Sequence, residues 1–380
     1  MGPFPAQCHH TLGRVAGAWL VLQGRVGSRP PPKRTAADFD ERRVIDTDTT
    51  DSGNTGAYPD RHRDPDSGRT VADLGEFAVI DRAVAGRAQP ETTLLGPGDD
   101  AAVVRTADGR VVVSSDMLVQ GRHFRFDWST PEQVGRKAVA QNGADIVSMG
   151  AWPTAFLVSL GCPPDTPVAV ADALSEGIWS AAAALGAGVV GGDTVQSGQV
   201  VLSITVLGDL RGRPPVLRSG ARPGDQVAVA GRLGWSAAGL AVLLAGADGY
   251  TDLVAAHQVP APPYESGPAA ARAGATAMTD VSDGLVADLG HVCTASGVSI
   301  DLDPAALEPD PSLRAAAAAL GGDPLDWVLT GGEDHALAAT FPADAALPDG
   351  WRRIGVVGSG SGVRVGGRPW AGSGGWQSFS

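Results

Sequence analysis

The sequence predicts an α/β protein of two units, preceded by a polar stretch of about 70 residues. Three observations carry this. A chain of 380 residues exceeds the usual reach of one hydrophobic core. From about Leu74 onward, β-branched runs alternate with Ala-rich helical periods. A turn-rich stretch at 208–215, with Gly208, Gly212, Pro214 and Pro215, divides that alternation into two sets.

Residues 111–115 form a β-branched run that fits a buried strand, the first of the regular elements. Residues 131–149 carry a helical apolar period, with Thr130 as N-cap and Pro131 in the first turn. A strand is expected at 156–160 and an Ala-rich helix at 168–185. A short strand at 188–190 then runs into a glycine turn, and another strand spans 200–207. The second set holds strands at 226–230, 277–281, 298–302 and 336–341. Its helices lie near 236–245, 268–273, 285–296 and 312–320. The C-terminus is Gly-rich and contains Trp370 and Trp376. No internal period points to a solenoid or propeller. The boundaries are therefore 1–70, 71–213 and 214–380.

Residues 1–70 contain Pro30-Pro31-Pro32, 10 basic and 9 acidic residues, and a polar run at 46–68 without apolar period. Such composition buries too little apolar surface to offset its ordering entropy, so this segment is expected to be a disordered or non-native extension. Function is sought after Thr70.

Composition then excludes several classes. A net charge of −13 is a poor match for nucleic acid or an anionic membrane. No apolar run approaches the ~20 residues that cross a bilayer. Cys8, Cys162 and Cys293 lie far apart and form no C-x-x-C, which reads as a reduced, cytoplasmic protein without disulfide framework or zinc site. Of the 29 basic residues 27 are arginines, leaving only Lys33 and Lys137.

A series of aspartates stands at the ends of apolar runs, each beside Gly or Ser: Gly98-Asp99-Asp100-Ala101, Ser114-Ser115-Asp116, Asn142-Gly143-Ala144-Asp145, Gly191-Gly192-Asp193-Thr194 and Asp280-Val281-Ser282-Asp283-Gly284. A sixth acidic turn is Gly331-Gly332-Glu333-Asp334. Taken singly, each reads as a helix cap or a turn. Gathered at strand ends, they would repel one another unless a cation intervened. Donor sets built only of oxygen suit Mg²⁺ shared with substrate phosphates, which points to metal-dependent phosphoryl transfer. Neither lysine lies in a G-x-x-x-x-G-K-[ST] loop, and no protein-kinase catalytic loop occurs. Gly358-Ser359-Gly360-Ser361-Gly362 lacks dinucleotide-loop spacing and reads as a surface turn.

Six motifs in order, Gly75-Glu76-Phe77, 96–102, 114–124 (Ser-Ser-Asp-Met-Leu-Val-Gln-Gly-Arg-His-Phe), 191–194, 281–285 and 329–334, resemble thiamine-monophosphate kinase, of the aminoimidazole-ribotide-synthetase-like ATP-binding superfamily. The resemblance covers about residues 71–380. It implies a two-domain fold whose N-terminal mixed-sheet domain pairs with a second copy as a homodimer, and whose C-terminal α/β domain closes over a nucleotide cleft. It also implies direct in-line transfer of the ATP γ-phosphoryl group to thiamine monophosphate, with several Mg²⁺ ions, and leaves a requirement for K⁺ open. Carried over motif by motif, Asp100, Ser114, Ser115, Asp116, Asp145, Asp193, Asp280 and Asp283 would hold metal. Gly192, Asp193, Arg218 and Ser282 would meet ATP, and His123, Glu333 and Trp376 would meet thiamine monophosphate. No side-chain nucleophile is implied.

Two positions depart from the pattern. Asn142-Gly143-Ala144 stands where Asn-x-Ser is expected, and His335-Ala336 where an aromatic and a glutamate are usual. The alternatives are a selenophosphate-synthetase-like or hydrogenase-maturation-like enzyme of the same superfamily, or a non-catalytic nucleotide or Mg²⁺ sensor.

Overall fold

The computed structural model describes residues 68–98, 101–372 and 375. The expected extension at 1–70 therefore lies almost wholly outside the described residues, and so do Asp100 and Trp376. The chain opens with α1 (Val71–Leu74), α2 (Glu76–Val84), β1 (Thr93–Leu95) and β2 (Val103–Val104). Next come β3 (Val112–Val119), α3 (Pro131–Ser148), β4 (Trp152–Cys162), α4 (Val168–Ala184), β5 (Gly188–Gln196) and β6 (Val201–Asp209). After a 3₁₀ turn at Arg218–Gly220 stand β7 (Gln226–Ala230), α5 (Trp235–Ala245), α6 (Thr251–Gln258), α7 (Ser266–Arg272), β8 (Ala277–Val281), α8 (Leu285–Ser296) and β9 (Val298–Leu302). The rest comprises α9 (Pro311–Leu320), α10 (Pro324–Thr330), β10 (Ala336–Phe341), β11 (Trp351–Ser359), β12 (Gly362–Val365) and β13 (Arg368–Pro369).

Strands β3-β6-β4-β5 form a four-stranded mixed sheet, antiparallel except for the β4–β5 pair. One face packs Leu118, Phe156, Ile204 and Val206 against Val134, Val139 and Ile146 of α3 and Leu174 and Ile178 of α4. The other leaves Val113, Met117 and Val195 exposed. The second sheet runs β13-β12-β9-β11-β7-β10-β8, antiparallel except where β12 meets β9. It is covered on both faces, by α5, α8 and α9 on one side and by Tyr264, Ala270 and Val147 on the other. Double coverage explains why β7, β8 and β10 read as unbroken buried runs. The two-unit α/β class expected from sequence is the observed one.

Helix α3 touches both of these larger sheets, lying on β3 and β6 of the first and reaching β8 and β10 of the second, while β1 and β2 form a separate two-stranded antiparallel sheet. Thr130 and Gln133 close a capping box, and Pro131 fills the first turn. Its register against α4 is set by two glycines. A Cβ on Gly135 would stand 2.2 Å from the Leu174 carbonyl oxygen, and one on Gly177 would stand 2.0 Å from that of Glu132. Gly177→Ala should lower stability by about 1–3 kcal/mol despite the better helix propensity of Ala. A thermal melt unchanged by Gly177→Ala would show that the helices yield.

Three expectations are corrected. The strand at 188–190 does not stop at a glycine turn: β5 continues through Gly191, Gly192 and Asp193. The reason is close parallel pairing, since a Cβ on Gly192 would lie 1.8 Å from the Val158 carbonyl oxygen. Asp145 is not at a strand end but in the last turn of α3, and Asp116 is in the body of β3. Finally, α1, α2, β1 and β2 precede the first strand expected, and α6, α10 and β11–β13 also form where no element was expected; the glycines at 358–362 turn β11 into β12.

Candidate active site

Strand β3, helix α3 and strand β8 bring the central carboxylates together. Ser114 Oγ donates to Asp145 Oδ2 at 2.6 Å, and Asn142 Oδ1 accepts from the Asp116 backbone N–H at 3.0 Å. The departure at Ala144 removes neither bond. Burial, then the neighbouring charges of Asp280 and Asp116, push the Asp145 carboxyl up to about 7. Asp283 is raised by burial and by Asp280. His335 Nδ1 lies 3.2 Å from Asp280 Oδ2, and both side chains are buried. Burial disfavours the imidazolium, yet the bond to Asp280 together with the charges of Asp280, Glu333 and Asp145 outweighs it and raises His335. The residue that departs from the family pattern thus serves as a partner for an acidic centre.

The turn after β8 is built by a residue that no motif marks. Asp288 Oδ2 accepts from the backbone N–H groups of Ser282, Asp283 and Gly284 at 3.0, 3.1 and 3.1 Å. Asp283 is therefore not an N-cap; Gly284 holds that place without a side-chain bond. Arg218 reaches the rim, its Nε donating to Thr279 Oγ1 at 3.2 Å beside Asp280. Asp334 holds the next turn, accepting from Ser236 N–H at 2.8 Å at the start of α5.

Not every expected ligand joins this group. Ser115 is next to Ser114 on β3 and so faces the other side; its Oγ donates to the Ile204 carbonyl and pairs with Thr205 Oγ1, both at 3.0 Å. Asp116, Ile204, Val158 and Gly192 are in register across the sheet. Gly192 and Asp193 therefore stand three strand spacings, about 14 Å, from Asp116. Among the described residues, no three His, Cys, Asp or Glu side chains converge tightly enough to grip an ion. The donor chemistry nevertheless fits a hard cation: crowded carboxylates, one hydroxyl and raised carboxyls that a positive charge would relieve.

Beside the acidic centre is a second group. Glu333 Oε2 accepts from Lys137 Nζ at 3.1 Å and lies 3.5 Å from His257 Nδ1. Burial raises Glu333, but the charges of Lys137 and His257 outweigh it and hold the carboxyl below its usual range. His123 is kept neutral chiefly by burial, and its Nδ1 accepts from Val119 N–H at 3.0 Å. Lys137 and His257 were not singled out as site residues. The signal was available for Lys137, which interrupts the apolar stripe of Val134, Ala138 and Ala144. Gly375, next to Trp376, lies on the Asp283 turn, where a Cβ would meet the Asp283 carbonyl oxygen at 2.3 Å.

Burial raises Asp288 and Asp334, like Asp145, to about 7. Between an unfolded carboxyl pKa of about 3.9 and that value, the folded chain binds protons the unfolded chain has released. Buried His257, held down to about 4, pulls the other way below about 6.5, but the three carboxyls outnumber it, so stability of the metal-free protein should fall as pH rises from about 4 towards 7. Melting temperatures that climb over this interval would refute the assignment.

Residues 98–210 match the AIR synthase related protein N-terminal domain, and residues 222–366 match the corresponding C-terminal domain. Thiamine-monophosphate kinase of Mycobacterium tuberculosis (strain ATCC 25618 / H37Rv) is 59% identical over 312 residues, which cover 82% of this chain and 93% of that one. The Corynebacterium glutamicum enzyme of that name is 46% identical over 309 residues, covering 79% and 90%. The solved structure "AaThiL complexed with AMPPCP and TMP" superposes with a TM-score of 0.68 at 32% identity, covering 81% of this chain and 98% of that one. The chain belongs to the thiamine-monophosphate kinase family of AIR synthase related proteins, as the six motifs implied.

Proposed function

We propose that this chain transfers the γ-phosphoryl group of ATP to the phosphate of thiamine monophosphate, giving thiamine diphosphate and ADP. The observation that carries the reading is the pairing of an acidic centre (Asp116, Asp145, Asp280, Asp283) with the Glu333–Lys137 group, both anchored on α3. Relatives 59% and 46% identical bear the enzyme's name, and a structural relative was solved with AMPPCP and TMP.

In this reading Asp100, Ser114, Asp116, Asp145, Asp280 and Asp283 would hold Mg²⁺, which would neutralise phosphate charge when bound, and Asp193, about 14 Å from Asp116, would hold a separate ion. Ser115 has its hydroxyl turned away and would add only backbone to that set. The residues' own work is positioning. Ser282, on the turn clamped by Asp288, bonds a phosphate; Arg218 and Gly192 meet the nucleotide; and His123, Glu333 and Trp376 hold the acceptor. No covalent intermediate is needed, because in-line transfer depends on alignment and charge compensation. We assign domains 71–213 and 214–380, each with its own sheet. The exposed Val113, Met117 and Val195 support pairing of the first domain with a second copy. Free, buried Cys162 and Cys293 suit a cytoplasmic enzyme. No helix among the described residues is long and apolar enough to cross a membrane.

The test is incubation of purified protein with ATP, Mg²⁺ and thiamine monophosphate, with products resolved by chromatography. Equal amounts of thiamine diphosphate and ADP are expected. ADP alone would mean another acceptor. ATP binding without turnover would favour a sensor.

A further inference from the structure

We propose that Lys137 is a positioning residue that commits Glu333 to a single orientation and ties it to the His123 segment, so that affinity for the acceptor depends on a lysine the acceptor never touches. This rests on the assignment of Glu333 and His123 to thiamine monophosphate.

The argument begins with burial. Lys137 is 1% exposed. A lysine is rarely enclosed unless its ammonium is fully partnered. Its Nζ donates to Glu333 Oε2 and to the His123 carbonyl oxygen, both at 3.1 Å. One ammonium thus bridges two segments far apart in sequence, both assigned to the same ligand. Two of the ammonium's three N–H groups are spent on protein partners.

Its effect falls on Glu333. The backbone there is left-handed at φ 61°, held by its N–H donating to the Ser282 carbonyl at 2.7 Å. Oε2 is occupied by Lys137 and approached by His257, whose Nδ1 is also 3.0 Å from Ser236 Oγ. Among the described residues Oε1 has no partner, and the Glu333 side chain is 31% exposed. The carboxylate therefore offers one oxygen, in one direction, to a ligand N–H. The amino group of an aminopyrimidine ring supplies such a donor. Without Lys137 the glutamate would regain rotamer freedom and a costlier charge, and both losses would be felt on binding.

The experiment compares wild type, Lys137→Met, Glu333→Gln and the double variant. Each is first shown to bind a non-hydrolysable ATP analogue. Lys137→Met should raise KM for thiamine monophosphate roughly 10–100-fold, leaving KM for ATP and kcat within about threefold. The double variant should lose less than the two single losses combined, because most of the lysine's effect runs through the carboxylate. An unchanged KM in Lys137→Met, or losses that add in the double variant, would overturn the proposal. If Lys137→Met does not fold, Glu333→Gln decides: a wild-type KM for thiamine monophosphate there overturns it equally. Wild-type protein that forms no thiamine diphosphate would defeat the functional reading, and this proposal with it. An active wild type with an indifferent Lys137→Met defeats the lysine alone.

Discussion

Asp116→Asn should lower kcat by roughly 10²–10³-fold, while the metal-free variant melts no lower than wild type. The side chain is replaced by one of the same shape, and the backbone there does not rely on the carboxylate, because Asn142 Oδ1 holds the Asp116 N–H. What disappears is one negative charge from a group in which Asp145 and Asp283 are already pushed upward. Relief of like-charge repulsion favours the folded state, while loss of a metal donor removes charge compensation from the transferring phosphate. A structural aspartate would behave the opposite way, keeping turnover and losing stability. Steady-state kinetics across a Mg²⁺ titration, with melts in chelator, read both quantities. Wild-type kcat would sink the metal role, and a markedly lower melt would make the carboxylate structural.

Asp288→Ala is expected to cost at least about 3 kcal/mol and to reduce kcat strongly, because three backbone N–H groups lose their common acceptor. Those groups belong to Ser282, Asp283 and Gly284, so the damage falls on the turn that presents a proposed phosphate contact and a proposed metal ligand. Asp288→Asn keeps an acceptor oxygen and sheds a charge that burial disfavours. It should retain most of the stability and turnover above pH 7. Denaturant midpoints and kcat for both variants separate geometry from charge. Equal losses in the two would show that the charge, not the acceptor, matters.

How much of this was legible depends on whether the signal was local. Helix α3 could be read almost to the residue, since Thr130, Pro131, Gln133 and the apolar period are all local. Strands β7, β8 and β10 were legible for the same reason: buried apolar runs between turns. Helix α6, with His257, and helix α10 were missed because their packing against α5 and α8 outweighs weak local periods. The Gly-rich end hid β11–β13, where pairing with β9 and β7 decides the strands. Within the site, the residues proposed to touch ligands were all assigned through motifs. The residues that hold the turns and Glu333 were harder to read: Asp288 stands just outside motif 281–285, Lys137 meets Glu333 only through the tertiary fold, and Asp334, although inside a motif, shows its bond to Ser236 only in three dimensions. Ser115 shows the limit from the other side, since adjacent strand residues share a motif but not a face.

Helix α3 carries Lys137 and Asp145 eight residues apart, a rise of about 12 Å along a rigid rod. In the proposed reading one end would grip what holds the acceptor's ring, and the other would belong to the group facing its phosphate. The rod packs tightly against α4 at Gly135 and Gly177. On that reading α3 would serve as a ruler, and an analogue one or two methylenes longer should be gripped correctly at its ring yet bring its phosphate to the wrong mark.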